Sequence, residues 1–204
     1  MFLPILILLA SCFGSTIPVR NNDQNPSSQF PTARTRHATY VGKEDTNYGV
    51  DIWAGIRYAK SPTGSLRLQH PQPYEAQGTI NSQTFGNPCF ALSSAANVSE
   101  DCLTLNIYAP HSGSNQHYKK WDSDGLPVLF WIHGGGFNQG SGIVYQGQSL
   151  VNRSVELRSP VIVVTINYRL SFFGFSGIAP PSSPRALTNF PQLAPRQSPT
   201  MHSI

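Results

Sequence analysis

The chain has 204 residues, 12% of them charged, and a formal net charge of +4. That length supports one domain with a real core, while the charged share is about half the usual one. There is no basic run, no Lys/Arg cluster interleaved with aromatics and no metal-ligand spacing of Cys and His, which argues against a nucleic-acid partner and a zinc centre; no cofactor is implied.

Met1 to Ser15, MFLPILILLASCFGS, has an apolar core from Phe2 to Ala10 followed by small residues. This is a secretory signal peptide in outline, without Lys or Arg in its n-region, and cleavage is expected near Gly14. The apolar run is too short to span a bilayer, so no stable membrane span is expected. Leu9-Ala10-Ser11-Cys12 also passes as a bacterial lipobox, which would make Cys12 a lipidated terminus. Residues 16–37 are polar and aperiodic, and read as a flexible arm.

Ala38 to Ala59 is β-like. Val50, Ile52, Ala54, Ile56 and Tyr58 alternate with Asp51, Trp53, Gly55 and Arg57, the period of a half-buried strand. Ser61-Pro62-Thr63-Gly64 breaks it, and residues 70–88 are rich in loop formers. Cys89 and Cys102 are the only cysteines outside the signal. In a secreted chain such a pair suggests one disulfide; two buried free thiols are the alternative. Leu103 to Ala109 alternates again, with Leu103, Leu105, Ile107 and Ala109 on one face and Thr104, Asn106 and Tyr108 on the other. Residues 111–125 form a polar loop.

Leu126 to Ile132 is almost unbroken apolar and reads as a strand buried on both faces. His133, Gly134, Gly135 and Gly136 follow. Three glycines let the backbone turn sharply and let a ligand approach the amides. At a strand's C-terminal end this suits two backbone N–H groups aimed at a developing oxyanion. A glycine-rich turn without a catalytic task would use the same residues. After the loop from Gln139 to Gly147, residues 148–157 can form a short helix stopped by Pro160. Val161 to Tyr168 is a second buried strand, rich in β-branched residues. Asn97-Val98-Ser99 and Asn152-Arg153-Ser154 are sequons, plausible glycosylation sites in a secreted chain. Residues 178–204 contain six prolines, too many for a helix or a central strand, and read as a disordered Pro/Ser-rich tail.

Four stretches carry a resemblance: YAKSPTGSLRLQHPQPY at 58–74, EDCLTLNIYAP at 100–110, HGGGF at 133–137 and VIVVTINYRLSFFGFSG at 161–177. In this order and spacing the chain resembles the type-B carboxylesterase/lipase family, which includes cholinesterases. The likeness runs from about Tyr40 to Gly177. It implies an α/β chain with an incomplete α/β-hydrolase fold: a small N-terminal β-sheet plus the first strands of the central sheet. Residues 38–177 would be the N-terminal part of a carboxylesterase type-B domain, and 178–204 a tail foreign to it.

In that family a serine attacks the ester carbonyl, a histidine shuttles the proton and a Glu or Asp orients the histidine. By the motif match, Gly135 and Gly136 would donate two N–H groups to the oxyanion, within the loop begun by His133 and Gly134. The third donor follows the nucleophile. His133 precedes the nucleophile in chain order, so its expected task is holding the loop through ring hydrogen bonds. Ser141 is not an elbow serine, because Gln139 stands where G-x-S-x-G needs its first glycine. The resemblance also implies a Cys89–Cys102 disulfide and a buried Arg67–Glu100 ion pair. Arg169 matches a structural arginine whose family partner is an aspartate in a Gly-Leu-Asp-Gln segment. Residues 178–204 lack that segment, so Arg169 is expected to be exposed or re-paired. The implied function is the N-terminal part of a secreted serine esterase or lipase acting on small-molecule or lipid esters. With nucleophile, acid and base all absent from the 204 residues, it is expected to be inactive as it stands. The alternatives are a non-catalytic truncated product and an esterase-like binding or adhesion protein.

Overall fold

The computed structural model describes residues 30–91, 97–111 and 125–175. The readings made for the signal peptide, most of the arm and the Pro/Ser-rich tail fall outside these residues. Two sheets make up the frame. The smaller contains β1 (Thr32–Arg34), β2 (Ala38–Val41) and β5 (Gly78–Asn81) in the order β1-β2-β5. The larger contains β3 (Lys43–Asp45), β4 (Val50–Arg57), β6 (Thr104–Pro110), β7 (Val128–Ile132) and β8 (Ile162–Ile166) in the order β3-β4-β6-β8-β7. All its pairings are antiparallel except β7 with β8. Helix α1 (Gln148–Glu156) joins those two strands as a parallel crossover requires, and a five-residue helix, α2 (Ser171–Phe175), ends the described chain.

The two sheets meet at a corner in β4. The register with β6 shifts between Trp53 and Ile56, and Gly55 adopts φ +67°. A Cβ at Gly55 would come within 2.5 Å of the Thr84 carbonyl, so only glycine fits. Its N–H donates to the Asn106 side-chain oxygen at 3.0 Å, and the Ala54 N–H donates to the Ser82 carbonyl at 2.7 Å, just past β5.

The core lies between α1 and the sheet. Val151 is fully buried and packs in one cluster with Val50, Ile52, Ala54, Tyr108 and Val163. Gly147 makes this approach possible: a Cβ there would lie 2.8 Å from the Tyr108 ring. A second cluster surrounds the Cys89–Cys102 pair with Ala59, Ala91, Leu103, Tyr168 and Leu170.

Several expectations need correction. β1 and β5 lie in stretches read as a flexible arm and as loop. The alternation read for β6 left open which face is buried: it is Thr104, Asn106 and Tyr108, while Leu105, Ile107 and Ala109 are half-buried. Tyr108 lies in the α1 cluster, and the Asn106 amide bonds both Gly55 and Thr165, so the polar face is the one with partners. Asp51, on the strand face opposite the apolar residues in the alternation, is buried too, with the His111 ring nitrogen 2.7 Å from its carboxylate.

Among the described residues, the strand read as buried on both faces lies at the edge of the sheet. Val128, Leu129, Phe130 and Ile132 are 39–54% exposed. β7 has one neighbour among the described residues, and α1 packs on β6, β4 and β8 instead. Its register sets Val128, Phe130 and Ile132 beside Ile162, Val164 and Ile166, on the face away from Val163 and therefore away from the α1 cluster.

Candidate functional site

β7 runs straight into His133 and the three glycines. His133 is only 2% exposed. Its ring stacks on Tyr168, with centroids 4.3 Å apart and an interplanar angle of 17°. The Tyr168 hydroxyl donates to the His133 carbonyl at 2.7 Å, which ties the end of β7 to the chain beyond β8. Nδ1 of His133 lies 2.9 Å from the Gly134 carbonyl. A carbonyl only accepts, so Nδ1 carries the proton. Burial holds the imidazole below its usual range, against the opposing pull of that hydrogen bond, and favours a neutral ring. Burial likewise pushes the Tyr168 phenol up.

Gly135 and Gly136 follow at φ +123° and +60°. A Cβ on Gly135 would come within 2.0 Å of the Gln139 carbonyl, so no other residue fits. The Gly135 carbonyl accepts from the N–H groups of Asn138 and Gln139 at 3.1 and 3.2 Å, closing the turn. The N–H groups of Gly135 and Gly136 make no hydrogen bond to another described residue, and both glycines are exposed. Adjacent free backbone donors beside a positive-φ turn are the raw material of an anion-accepting concavity.

Residues the sequence did not single out hold this loop. Gly140, at φ +109°, lets the chain pass behind it; a Cβ there would sit 2.4 Å from Nδ1 of His133. Asn167 is a hub. Its side-chain oxygen accepts from the Gly142 N–H at 2.8 Å, its side-chain amide donates to the Asn87 carbonyl at 3.0 Å, and its own carbonyl accepts from the Tyr58 hydroxyl at 2.8 Å. Below the loop, the Ser171 N–H donates to the Phe137 carbonyl at 2.7 Å. Asn167 is a polar residue at the end of an apolar strand, a signal visible in the sequence. Gly140 looks like any loop glycine until the His133 ring is placed beside it. Ser141 is buried within the loop, its hydroxyl accepting from the Ile143 N–H at 3.2 Å.

The remaining marked residues lie elsewhere. Cys89 and Cys102 are bonded, with Cα atoms 4.9 Å apart. Arg67 grips Glu100 with both arms, Nε to Oε2 at 2.6 Å and Nη2 to Oε1 at 2.7 Å. The expected burial of that pair is not found: the side chains are 51% and 23% exposed, because Arg67 follows a surface turn at Gly64–Leu66. A neighbouring pair was missed. Arg57 binds Asp101 bidentately, which lowers the Asp101 carboxyl below its usual range. Arg169 is neither exposed nor re-paired; it is 7% exposed with no carboxylate partner among the described residues. Asn97 is exposed, at φ +68°. Asn152 is half-buried on α1, its side chain donating to the Tyr48 carbonyl at 3.0 Å. No described helix is long and apolar enough to cross a membrane.

Comparison with known proteins shows the family of the chain. Residues 31–184 match the model of the carboxylesterase family. The chain is 35% identical over 178 residues to acetylcholinesterase-1 of Trittame loki, covering 80% of this chain and 30% of that protein. It is 34% identical over 203 residues to secreted lipase 1 of Botryotinia fuckeliana (strain B05.10), covering 84% and 33%. Among solved structures it superposes on a PNB esterase with a TM-score of 0.59 and 36% identity, over 72% of this chain and 28% of that one. The chain thus spans about a third of the length of the relatives it matches. The two sheets and their few helices are part of the α/β-hydrolase fold that its structural neighbours share. The chain belongs to the carboxylesterase family, type B.

Proposed function

We propose that this chain is the N-terminal part of a secreted serine hydrolase of carboxylic esters, small-molecule or lipid, and that its contribution to the chemistry is the oxyanion loop. The observation that carries this is the pair Gly135 and Gly136: two N–H groups without a partner among the described residues, on a turn closed to side chains at Gly135, at the C-terminal end of a parallel strand. A tetrahedral intermediate puts full negative charge on the former carbonyl oxygen. Backbone donors already aimed there need no reorganisation when the charge develops. Neutral, buried His133 fixes the loop from behind without adding a charge of its own. Secretion rests on the apolar segment at the start of the chain and is in keeping with a relative named as a secreted lipase.

The 204 residues contain no G-x-S-x-G serine. An oxyanion donor is worth about 10²–10³ in rate only when a nucleophile attacks a carbonyl held beside it. The purified chain is therefore expected to hydrolyse a short-chain nitrophenyl ester no faster than a denatured control. Turnover that Gly135→Pro abolishes would show a working nucleophile and overturn the reading of inactivity. Family function itself is tested by reading the transcript past the Gly177 codon. A frame continuing into G-x-S-x-G supports an esterase, whereas a verified stop after Ile204 counts against an enzyme.

A further inference from the structure

The glycine loop springs from the end of a strand pair. The β7–β8 ladder closes with Ile132 opposite Ile166. Just past that point Tyr168 takes over, with two contacts to one residue. Its ring stacks on the His133 imidazole, centroids 4.3 Å apart, and its hydroxyl donates to the His133 carbonyl at 2.7 Å. The stack fixes the side chain, and the hydrogen bond fixes the peptide that leads into Gly134. The approach of Nδ1 of His133 to the Gly134 carbonyl is internal to the loop and moves with it. The far end of the loop is held separately, at the Phe137 carbonyl by the Ser171 N–H and at the Gly142 N–H by the Asn167 side chain.

Tyr168 is itself held. It is buried, in one cluster with Ala59, Cys89, Ala91, Cys102, Leu103 and Leu170. The Cys89–Cys102 bond joins two members of that cluster covalently. A phenol locked by such packing aims its hydroxyl at one carbonyl with little freedom left to lose. Burial also pushes the phenol up, so the hydroxyl keeps the proton it donates. We propose that Tyr168 is the positioning residue of the glycine loop, and that it passes to Gly135 and Gly136 the rigidity of the cluster built around the Cys89–Cys102 bridge. Its bearing on ester hydrolysis rests on the reading of that loop as an oxyanion site, where a displacement of about 1 Å can forfeit about 10²-fold in rate. The order of the loop is a separate property, measured without substrate, so the two readings fail independently.

The test is amide hydrogen exchange of the whole chain in dilute solution, resolved by mass spectrometry. The reporters are the Asn138 and Gln139 N–H groups, which close the turn on the Gly135 carbonyl, and the Val151 N–H of α1 is the reference. Tyr168→Phe keeps the ring and its stack and removes only the hydroxyl that holds the His133 carbonyl. Exchange at Asn138 and Gln139 should rise about fivefold or more, the loss expected for one hydrogen bond, with Val151 unchanged. A residue that only filled the cluster would leave the loop amides as they were. Should Tyr168→Phe fail to fold, Cys89→Ala/Cys102→Ala decides. The same two amides should then exchange faster by a similar factor, at a rate that low urea does not change, because a local opening exposes little surface. The proposal is overturned if a folded Tyr168→Phe leaves both loop amides unchanged, or speeds Val151 as much. It is overturned equally if removing the bridge leaves them unchanged, or speeds them only in step with urea.

Discussion

Ser171 opens α2 at φ +50°, a left-handed conformation that L side chains rarely adopt. The cost for such a residue is about 1–2 kcal/mol, partly offset here by the hydroxyl's 3.3 Å hydrogen bond to Asn138. Ser171→Gly should therefore raise stability by about 1 kcal/mol, less the extra freedom glycine gains in the unfolded chain. A urea titration reads this directly; a lowered midpoint would mean that the Asn138 bond outweighs the strain. His133 gives a pH dependence. Burial lowers its pKa in the folded chain relative to the unfolded one, so below the unfolded value of 6.5 the unfolded state takes up the proton first. Its stabilising contribution is full above that pH and falls as the pH drops from there towards the lower folded value. His133→Gln should flatten the stability profile across that window. An identical slope in the variant would assign the effect to other groups.

At the scale of elements, β7 matters most. It carries no charge, proline or bulge, the usual guards of an exposed edge, and presents Val128, Phe130 and Ile132 on one side. An unguarded apolar edge recruits further strands, and the patch beside it adds a hydrophobic contribution. The chain is expected to self-associate at micromolar concentration, and Phe130→Lys to shift it towards monomer in sedimentation velocity. A monodisperse native chain would contradict this. The apolar run marked β7 as a strand but could not distinguish a central strand from an edge, because a strand's burial is set by what lies on either side of it. For β8 the same kind of run was read correctly: β6 and β7 flank it, and residues Val163 to Ile166 are buried. Helix α1 was legible too, as a short stretch stopped by Pro160. That it could reach the sheet depended on Gly147, which its own pattern does not reveal.

At the scale of the whole molecule, the Cys89–Cys102 bridge closes a loop of 13 positions and staples the second core cluster. Closing a loop of that length stabilises by about 3 kcal/mol in the chain-entropy model. Reduction, or a paired Cys89→Ala/Cys102→Ala substitution, should lower stability by roughly that amount. A thermal melt with and without reductant measures it, and an unchanged midpoint would show that the cluster holds without the bridge.

Four motifs in order carried the resemblance to the family, and apolar runs, alternation and breakers marked the main strands, the helix and the glycine turn. Such features depend on neighbours close in sequence, where spacing and backbone freedom are written directly. Tertiary structure decided the rest: the polar face of β6 turned inward, Asp51 buried against His111, Arg67 at the surface and Arg169 beneath it. Each depends on which distant segment packs against a residue, and burial and charge pairing are properties of that contact rather than of the residue itself.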